Sequence, residues 1–228
     1  MSLILSLETS TEVGSVALHR NGELLATGEI HIPYSHASKL AVLIHQVMSN
    51  ADISMKQLDA VAVTSGPGSY TGLRIGTSTA KGLCYALDIP LLSVGSLTLM
   101  AFQVAKHHTE EDTLLCPMID ARRMEVYCLV TSRSLEVLQE VQPVIIEADS
   151  FSSFLADNKV LFFGNGAAKG KPVIESESAF FLDGIVPHAS DLGQLAIQKF
   201  NASDFEDLIN FEPNYLKEFL IKPPKAVL

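Results

Sequence analysis

The sequence predicts an α/β protein with two lobes, each built from one copy of a degenerate, duplicated βββαβα unit. Near the N-terminus, three strand-like segments are followed by alternating helical and strand-like segments. The pattern of residues 3–32 returns at residues 113–144. The chain has 228 residues, 47% of them hydrophobic, so it can bury a sizeable core as one large domain or two small lobes.

The first unit opens with a predicted antiparallel meander. Residues 3–7 and 15–18 are apolar runs, and residues 23–32 form a third strand-like segment. Asn21-Gly22, between the second and third segments, is typical of a two-residue hairpin turn because both residue types tolerate a positive φ. We therefore expect three consecutive antiparallel strands.

The rest of the first unit alternates helices with strands. Ser35 or Ser38 can cap a helix whose apolar residues recur at helical spacing. Those apolar residues are Leu40, Leu43, Ile44, Val47 and Met48. A strand, a helix, a strand and a helix then follow at residues 58–64, 70–87, 91–94 and 96–106. Pro90 ends the first of these helices because it disfavours the helical conformation at the residue before it.

The second unit repeats the first in a shorter and weaker form. When Glu8 is aligned with Asp120, Val16 falls on Cys128, eight positions after the acidic residue in each case. A helix, a strand and a helix are then expected at residues 151–156, 160–163 and 191–200. The alternative is that any two such meanders look alike in so loose a comparison.

The duplication divides the chain into an N-terminal lobe, residues 1–107, and a diverged C-terminal lobe with a tail, residues 108–228. Two similar βββαβα lobes with a cleft between them are the layout of the actin-like ATPases, the ASKHA group of ribonuclease H-like folds. The predicted fold class is therefore α/β and actin-like.

The charge of the chain argues against direct binding of nucleic acid. Sixteen Lys and Arg residues stand against 26 Asp and Glu residues, which gives a formal net charge of −10. Binding to phosphates normally requires a basic patch, and the longest basic run is Arg122-Arg123. If the protein acts on RNA, we expect another protein to hold the RNA.

Cysteine usage and hydropathy predict a soluble cytoplasmic protein that does not engage a membrane. The three cysteines form no C-x-x-C pair, as expected of free thiols in a reducing compartment. Glu8 interrupts the first apolar segment before a secretory leader could form. The most apolar later stretch, residues 91–105, is too short to span a bilayer.

Four motifs carry a resemblance to a known family. They are, in order along the chain, LSLETSTEVGSVAL, GPGSYTGLRIG, IDARRMEVY and PNYLK. Together they closely resemble the TsaB (YeaZ) family of bacterial tRNA threonylcarbamoyladenosine biosynthesis, over nearly the whole chain. GPGSYTGLRIG is the most specific of the four, and the others are individually weak.

The resemblance implies an actin-like protein without known turnover of its own. Such a subunit binds and activates the catalytic protein TsaD, and the ATPase TsaE joins them. The complex transfers a threonylcarbamoyl group to the adenosine next to the anticodon of tRNAs that read codons beginning with A. The family also carries an older glycoprotease label, so protease activity is one of the hypotheses to weigh.

The glycine-rich segment at residues 64–76 looks like a phosphate-binding loop but fails both of its templates. No lysine follows at the position that G-x-x-x-x-G-K-S/T requires, and Thr71 stands where G-x-G-x-x-G needs its last glycine. Gly66-Pro67-Gly68 is instead typical of a tight turn, and Ser69 or Thr71 can cap the helix that follows. The glycines are therefore predicted to serve packing more than phosphate.

Within that helix, Gly72, Gly76 and Ala80 recur four residues apart and form a stripe without large side chains. A glycine in a helix interior costs about 1 kcal/mol relative to alanine, so a close neighbour is expected there. That neighbour is either the helix around Leu40 in the same chain or a partner protein. The expected partner interface comprises Leu40, Leu43, Ile44, Val47, Tyr70, Gly72, Leu73, Gly76, Thr79 and Ala80. If it is uncovered in the lone chain, we expect a weak homodimer that TsaD displaces.

Acidic residues at two strand ends are candidates for a nucleotide cleft. Glu8 with Thr9 and Ser10, and Asp120 in the second lobe, have the positions at which actin-like ATPases hold a hydrated metal ion and the attacking water. The alternatives are a solvated carboxylate for Glu8 and a local ion pair with the arginines for Asp120. No cofactor is expected to be required, although weak binding of ATP or ADP with Mg²⁺ stays open.

Histidine spacing argues against metal-dependent catalysis. The catalytic members of the superfamily hold a metal through two histidines four apart on a helix, and no two of the seven histidines here have that spacing. H-E-x-x-H and G-x-S-x-G are absent as well. Three hypotheses follow: a non-catalytic partner of TsaD, an actin-like nucleotide-hydrolysing enzyme and a protease.

Overall fold

The computed structural model describes residues 2–107, 110 and 112–216, and within them both predicted units are present. The first unit contains β1 Leu3–Glu8, β2 Gly14–Arg20, β3 Glu23–Ile30, α1 His36–Asn50, β4 Ala60–Gly66, α2 Tyr70–Leu87, β5 Leu91–Gly95 and α3 Ser96–Ala105. The second contains β6 Thr113–Asp120, β7 Glu125–Thr131, β8 Val137–Ile145, α4 Ser152–Leu155, β9 Lys159–Phe163, β10 Ala179–Leu182 and α5 Ala189–Asn201. Among these elements, no helix is both long enough and apolar enough to span a lipid bilayer.

The strand orders confirm the duplication. The first sheet runs β3-β2-β1-β4-β5 and the second runs β8-β7-β6-β9-β10, so each strand has its counterpart in the same place. In both sheets the first strand pairs antiparallel with the second strand and parallel with the fourth. The hairpin turn between β2 and β3 has φ of 52° at Asn21 and 85° at Gly22, as the residue types predict.

Two helices cover each face of the first sheet. On one face, α1 and α2 pack over a core that contains Leu5 and Leu7 of β1. On the other face, Ile4 of β1 meets Leu99 of α3 and Leu192 of α5. This alternation follows from the period of a strand, in which successive side chains point to opposite faces.

Helix α3 lies between the two sheets and contacts both of them. From α3, Leu97, Met100 and Val104 pack against the second sheet, in a core that includes Leu115 and Phe163. Helix α5 packs against the first sheet instead, although its residues lie in the range assigned from sequence to the C-terminal lobe. Division at residue 107 therefore describes the two sheets but not α5.

Polar contacts also fix α5 to the first sheet. The backbone N–H of Ala189 donates to Ser15 Oγ at 2.9 Å, and His19 Nε2 lies 2.9 Å from the carbonyl oxygen of Ser190. The His19 ring sits so close to Gly193 that a Cβ there would lie 2.0 Å from Nδ1. Helix α5 is thereby built into the N-terminal lobe.

Candidate functional site

The glycine-rich turn joins β4 to α2 and is held against the end of β1. Ser69 is the N-cap of α2, where its Oγ accepts from the backbone N–H of Gly72 at 3.3 Å. The backbone N–H of Ser69 donates to the carbonyl oxygen of Ser10 at 2.7 Å. Gly66 has a φ of 99°, a conformation that side chains disfavour. The turn is therefore an internal joint of the N-terminal lobe.

The stripe of small residues on α2 faces this joint. A Cβ on Gly72 would lie 2.1 Å from the carbonyl oxygen of Thr9, and one on Gly76 would lie 2.3 Å from Thr9 Oγ1. The same hydroxyl donates to the carbonyl oxygen of Gly72 at 2.8 Å. The prediction that these glycines serve packing is correct. The expectation that they face a partner is wrong, because the closely packed neighbour is Thr9 of the same chain.

Most of the predicted partner interface is also internal. Six of its apolar residues are buried in the isolated chain: Leu40, Leu43, Ile44, Val47, Leu73 and Ala80. The physical reason is that α1 and α2 are amphipathic and turn their apolar sides toward the same sheet. These side chains cannot contact a partner while the lobe is folded.

The accessible part of α2 is the opposite face, where Tyr70 is 38% exposed and Thr79 is half-buried. We call the exposed row of this face the α2 ridge; it consists of Thr71, Arg74, Ser78, Gly82 and Tyr85. A Cβ on Gly82 would meet no atom within 4 Å, and the Tyr85 side chain is 83% exposed. Sequence reasoning missed Gly82 because it lies off the four-residue stripe. A third glycine within one helix was the signal available.

Glu8, the first candidate for nucleotide chemistry, is completely buried. Its Oε1 accepts from the backbone N–H of Ser10 at 2.7 Å, from the Ser10 hydroxyl, and from Thr64 Oγ1 at 3.2 Å. Its Oε2 is buried without a hydrogen-bond partner. Burial raises the pKa of Glu8 from 4.5 to about 7, although the hydrogen bonds from Ser10 and Thr64 oppose that rise.

The other cleft candidates do not join Glu8 in an open site. Thr9 and Ser10 are buried against α2 and its turn. Asp120, at the end of β6, is exposed, and its carboxylate pairs with Lys169 Nζ at 2.7 Å. The predicted ion pair of Asp120 with the arginines is not formed, since Arg122 contributes its backbone N–H instead, at 2.5 Å. These residues therefore do not line an open nucleotide cleft in the folded chain.

The best-formed groove of the described residues lies apart from these cleft candidates. A groove of about 310 Å³ runs between the end of β3 and α1, lined in part by Glu29, Ile32 and Val42. Within the described part of the chain, no three His, Cys, Asp or Glu side chains come together as metal ligands. His36, at the start of α1, instead contacts the carbonyl oxygen of Thr11 at 2.8 Å through Nε2. His108 lies outside the described residues.

Known proteins resemble this chain in sequence over most of its length. The family model of TsaD, tRNA N6-adenosine threonylcarbamoyltransferase, matches residues 33–222. The tRNA threonylcarbamoyladenosine biosynthesis protein TsaB of Bacillus subtilis is 31% identical over 224 residues, covering 94% of this chain and 93% of that protein.

Solved structures agree with these relatives. A Pseudomonas aeruginosa protein with similarity to the peptidase YeaZ superposes with a TM-score of 0.84 at 28% identity, covering 95% of this chain and all of that one. A more distant match is the polyphosphate/ATP-glucomannokinase of an Arthrobacter strain, with a TM-score of 0.50 at 11% identity. The match covers 89% of this chain and all of the kinase chain, and it shows a shared fold only. The fold is thus actin-like, and the chain belongs to the TsaB (YeaZ) family.

Proposed function

We propose that this chain is a non-catalytic, cytoplasmic subunit that binds and activates TsaD for transfer of a threonylcarbamoyl group to tRNA. Family membership supports the coarser role, in tRNA threonylcarbamoyladenosine biosynthesis. The finer proposal adds the ATPase TsaE and the adenosine next to the anticodon in tRNAs that read codons beginning with A. With a net charge of −10, the chain would meet tRNA only through the complex.

The observation that carries the proposal is the α2 ridge. Gly82 lies in the interior of an 18-residue helix and is exposed, and a Cβ there would meet nothing in the isolated chain. A glycine at such a position costs about 1 kcal/mol relative to alanine with no gain inside the lobe. The neighbouring Ser78 keeps the ridge low, and Tyr85 supplies a large exposed aromatic side chain. A protein surface that approaches α2 closely over Gly82 and contacts Tyr85 would account for both features.

The likeness between the chain and TsaD indicates how they would meet. Because the TsaD family model matches residues 33–222, TsaD contains a counterpart of this lobe. Two similar lobes can pack through equivalent faces around a nearly two-fold axis. The same ridge would then support a weak homodimer when TsaD is absent.

The buried position of Glu8 supports a non-catalytic role over nucleotide hydrolysis. A carboxylate that orders a metal hydrate and an attacking water must reach the solvent of the cleft, whereas Glu8 is completely buried. The hydrolase alternative predicts binding of Mg-ATP. If such a site exists, Mg-ATP at a concentration one hundred times its dissociation constant would stabilise the isolated protein by about 2.7 kcal/mol. We expect no thermal shift with Mg-ATP or Mg-ADP.

The direct test is reconstitution with the TsaD of the same organism. We expect a 1:1 complex by size-exclusion chromatography with light scattering. Threonylcarbamoylation of tRNA should require this chain together with TsaD and TsaE. If TsaD neither binds the chain nor depends on it for activity, the proposal is wrong.

A substitution at Gly82 tests the ridge. Gly82→Arg should leave the fold intact, because the site is open and arginine is a good helix former. It should weaken TsaD binding at least tenfold, since the added side chain holds the partner away. Gly82→Ala is the matched control. It adds only one methyl group, so its affinity for TsaD should stay close to that of the wild type. Equal affinities for all three proteins, measured by titration calorimetry, would show that TsaD does not approach this ridge.

The homodimer gives a further prediction. The isolated chain should dimerise weakly, with a dissociation constant in the micromolar range or above, as expected of a small and partly polar contact. Gly82→Arg should abolish the dimer, and addition of TsaD should replace it by a heterodimer. Sedimentation velocity at several concentrations would measure both effects. A stable species that keeps two copies paired across the ridge while TsaD is bound would contradict the shared surface.

A further inference from the structure

At the start of α2, Tyr70 and the ridge residue Arg74 form an aromatic and cationic cluster with Tyr215. The rings of Tyr70 and Tyr215 pack at a centroid distance of 5.0 Å with an interplanar angle of 47°. The Arg74 guanidinium lies 5.4 Å from the centre of the Tyr70 ring, and its Nη1 donates to the Tyr70 hydroxyl at 3.3 Å. Both tyrosines are 38% exposed, and the arginine is exposed as well. Tyr, Arg and Trp are the residues that most often dominate protein–protein binding energies.

Hydrogen bonds to α2 and β4 hold the segment that carries Tyr215 in place. Residues 207–216, which we call the strap, run along the flank of α2 after α5. Lys81 Nζ of α2 donates to the carbonyl oxygens of Ile209 and Phe211 at 2.9 and 3.1 Å. Farther along, the backbone N–H of Asn214 donates to the carbonyl oxygen of Ser65 at 2.7 Å. Tyr215 is therefore placed on Tyr70 before any partner arrives, which reduces the entropy lost on binding.

The charge of Arg74 is not matched by an ion pair within the described part of the chain. Among the ion pairs of the described residues, none includes Arg74, although the chain carries an excess of acidic residues. Glu212 lies near enough to Tyr215 to influence its pKa, but it forms no ion pair with Arg74. Desolvation and the nearby Tyr70 raise the pKa of Tyr215, so its hydroxyl keeps its proton at neutral pH. The cluster thus presents an exposed guanidinium beside two partly exposed tyrosine rings.

We infer that Tyr70, Arg74 and Tyr215 form the anchor of the TsaD interface and that Arg74 binds a carboxylate side chain of TsaD. The inference rests on the proposed function and adds the strap to the binding surface. Arg74 is itself part of the α2 ridge, one turn from Ser78, so the anchor and the ridge form one continuous surface. Arg74 gives one Nη1 hydrogen bond to the Tyr70 hydroxyl, and its other N–H groups remain for a contact with a carboxylate.

Arg74→Gln tests the anchor, with Arg20→Gln as the control because Arg20 is exposed at the far end of β2. Arg74→Gln should keep the wild-type melting temperature and raise the Kd for TsaD about tenfold or more. It should also reduce the dependence of that Kd on NaCl concentration, because the screened ion pair is missing. Arg74→Lys should give an intermediate Kd, since it keeps the charge and loses the fork. Arg20→Gln should bind like the wild type.

The outcomes separate this inference from the proposed function. If Arg74→Gln binds TsaD like the wild type while Tyr85→Ala binds more weakly, the ridge is an interface but the anchor is wrong. If the wild-type chain does not bind TsaD at all, the proposed function itself fails. If Arg74→Gln loses binding only in proportion to a lowered melting temperature, its role is structural and the inference is overturned. Restored affinity when Arg74→Glu is combined with one acidic-to-arginine change in TsaD would identify the carboxylate.

Discussion

Gly72→Ala is expected to lower the free energy of unfolding by about 3 kcal/mol, the upper end of the usual cost of overpacking. The added Cβ would lie 2.1 Å from the carbonyl oxygen of Thr9, a backbone atom at the end of a central strand. Neither side can yield easily, because the first turn of α2 and residues 9–10 are joined by the hydrogen bonds of Ser69 with Ser10 and of Thr9 with Gly72. Urea denaturation followed by circular dichroism would measure the loss.

The matched control lies on the same helix. Gly82→Ala adds the same methyl group where no atom lies within 4 Å, so it should stabilise the protein by about 1 kcal/mol through helix propensity alone. The two substitutions therefore have opposite expected signs. If Gly72→Ala were as stable as the wild type, the contact between α2 and the end of β1 would be looser than its geometry indicates.

Much of the fold follows from local patterns in the sequence. Asn21-Gly22 specifies its hairpin by backbone conformation alone, and the helical spacing of Leu40 to Met48 specifies α1. Strand β10 was not predicted, since Ala179–Leu182 is only four residues long and is recognisable mainly by its pairing with β9. The packing of α5 on the first sheet depends on contacts such as His19 with Ser190, 171 positions apart, which no local pattern encodes.

The candidate site shows where sequence reasoning stops. A helix face without side chains indicates that something approaches closely, but it does not say what. For Gly72 and Gly76 the neighbour is Thr9, more than 60 positions away in the chain, and for Gly82 the isolated lobe supplies none. The two kinds of glycine differ in exposure: Gly72 and Gly76 are buried, whereas Gly82 is exposed. Which of them is buried depends on the side of α2 that meets the sheet. Leu73 and Cys84 do mark that side in the sequence, and both are buried.

Glu8 shows the same limit for charge. An acidic residue at a strand end is usually solvated, and both the cleft role and its alternative require an accessible carboxylate. In the fold, Ser10 and Thr64 donate to one of its oxygens while the chain covers the other. Ser10 is only two positions away in the chain, but Thr64 is 56 positions away, and its place beside Glu8 is set by tertiary structure. The Glu8 side chain is thus part of the interior of the lobe. Its pKa therefore differs between the folded and the unfolded chain.

Glu8→Gln is expected to change how stability depends on pH. The folded-state pKa of Glu8 is raised from 4.5 to about 7, so between these values the folded chain holds a proton that the unfolded chain releases. The wild type therefore loses stability as the pH rises through this window, by about 1.4 kcal/mol for each pH unit, and by on the order of 3 kcal/mol in total above pH 7. Glutamine keeps an oxygen acceptor for Ser10 and Thr64 and does not ionise, so the variant lacks this loss.

The measurement is the difference in unfolding free energy between the wild type and Glu8→Gln from about pH 5 to pH 8. The difference should shift in favour of the variant by about 2 kcal/mol or more over that range, whatever its starting value. His19, whose pKa is lowered mainly by burial, acts in the opposite direction, because its neutral form adds stability as the pH rises. It is present in both proteins, so its effect cancels in the difference.

Glu140→Gln, on the exposed side of β8, controls for the loss of any one carboxylate. Parallel pH profiles for the wild type and Glu8→Gln would mean that the Glu8 carboxyl ionises as readily in the folded protein as in water.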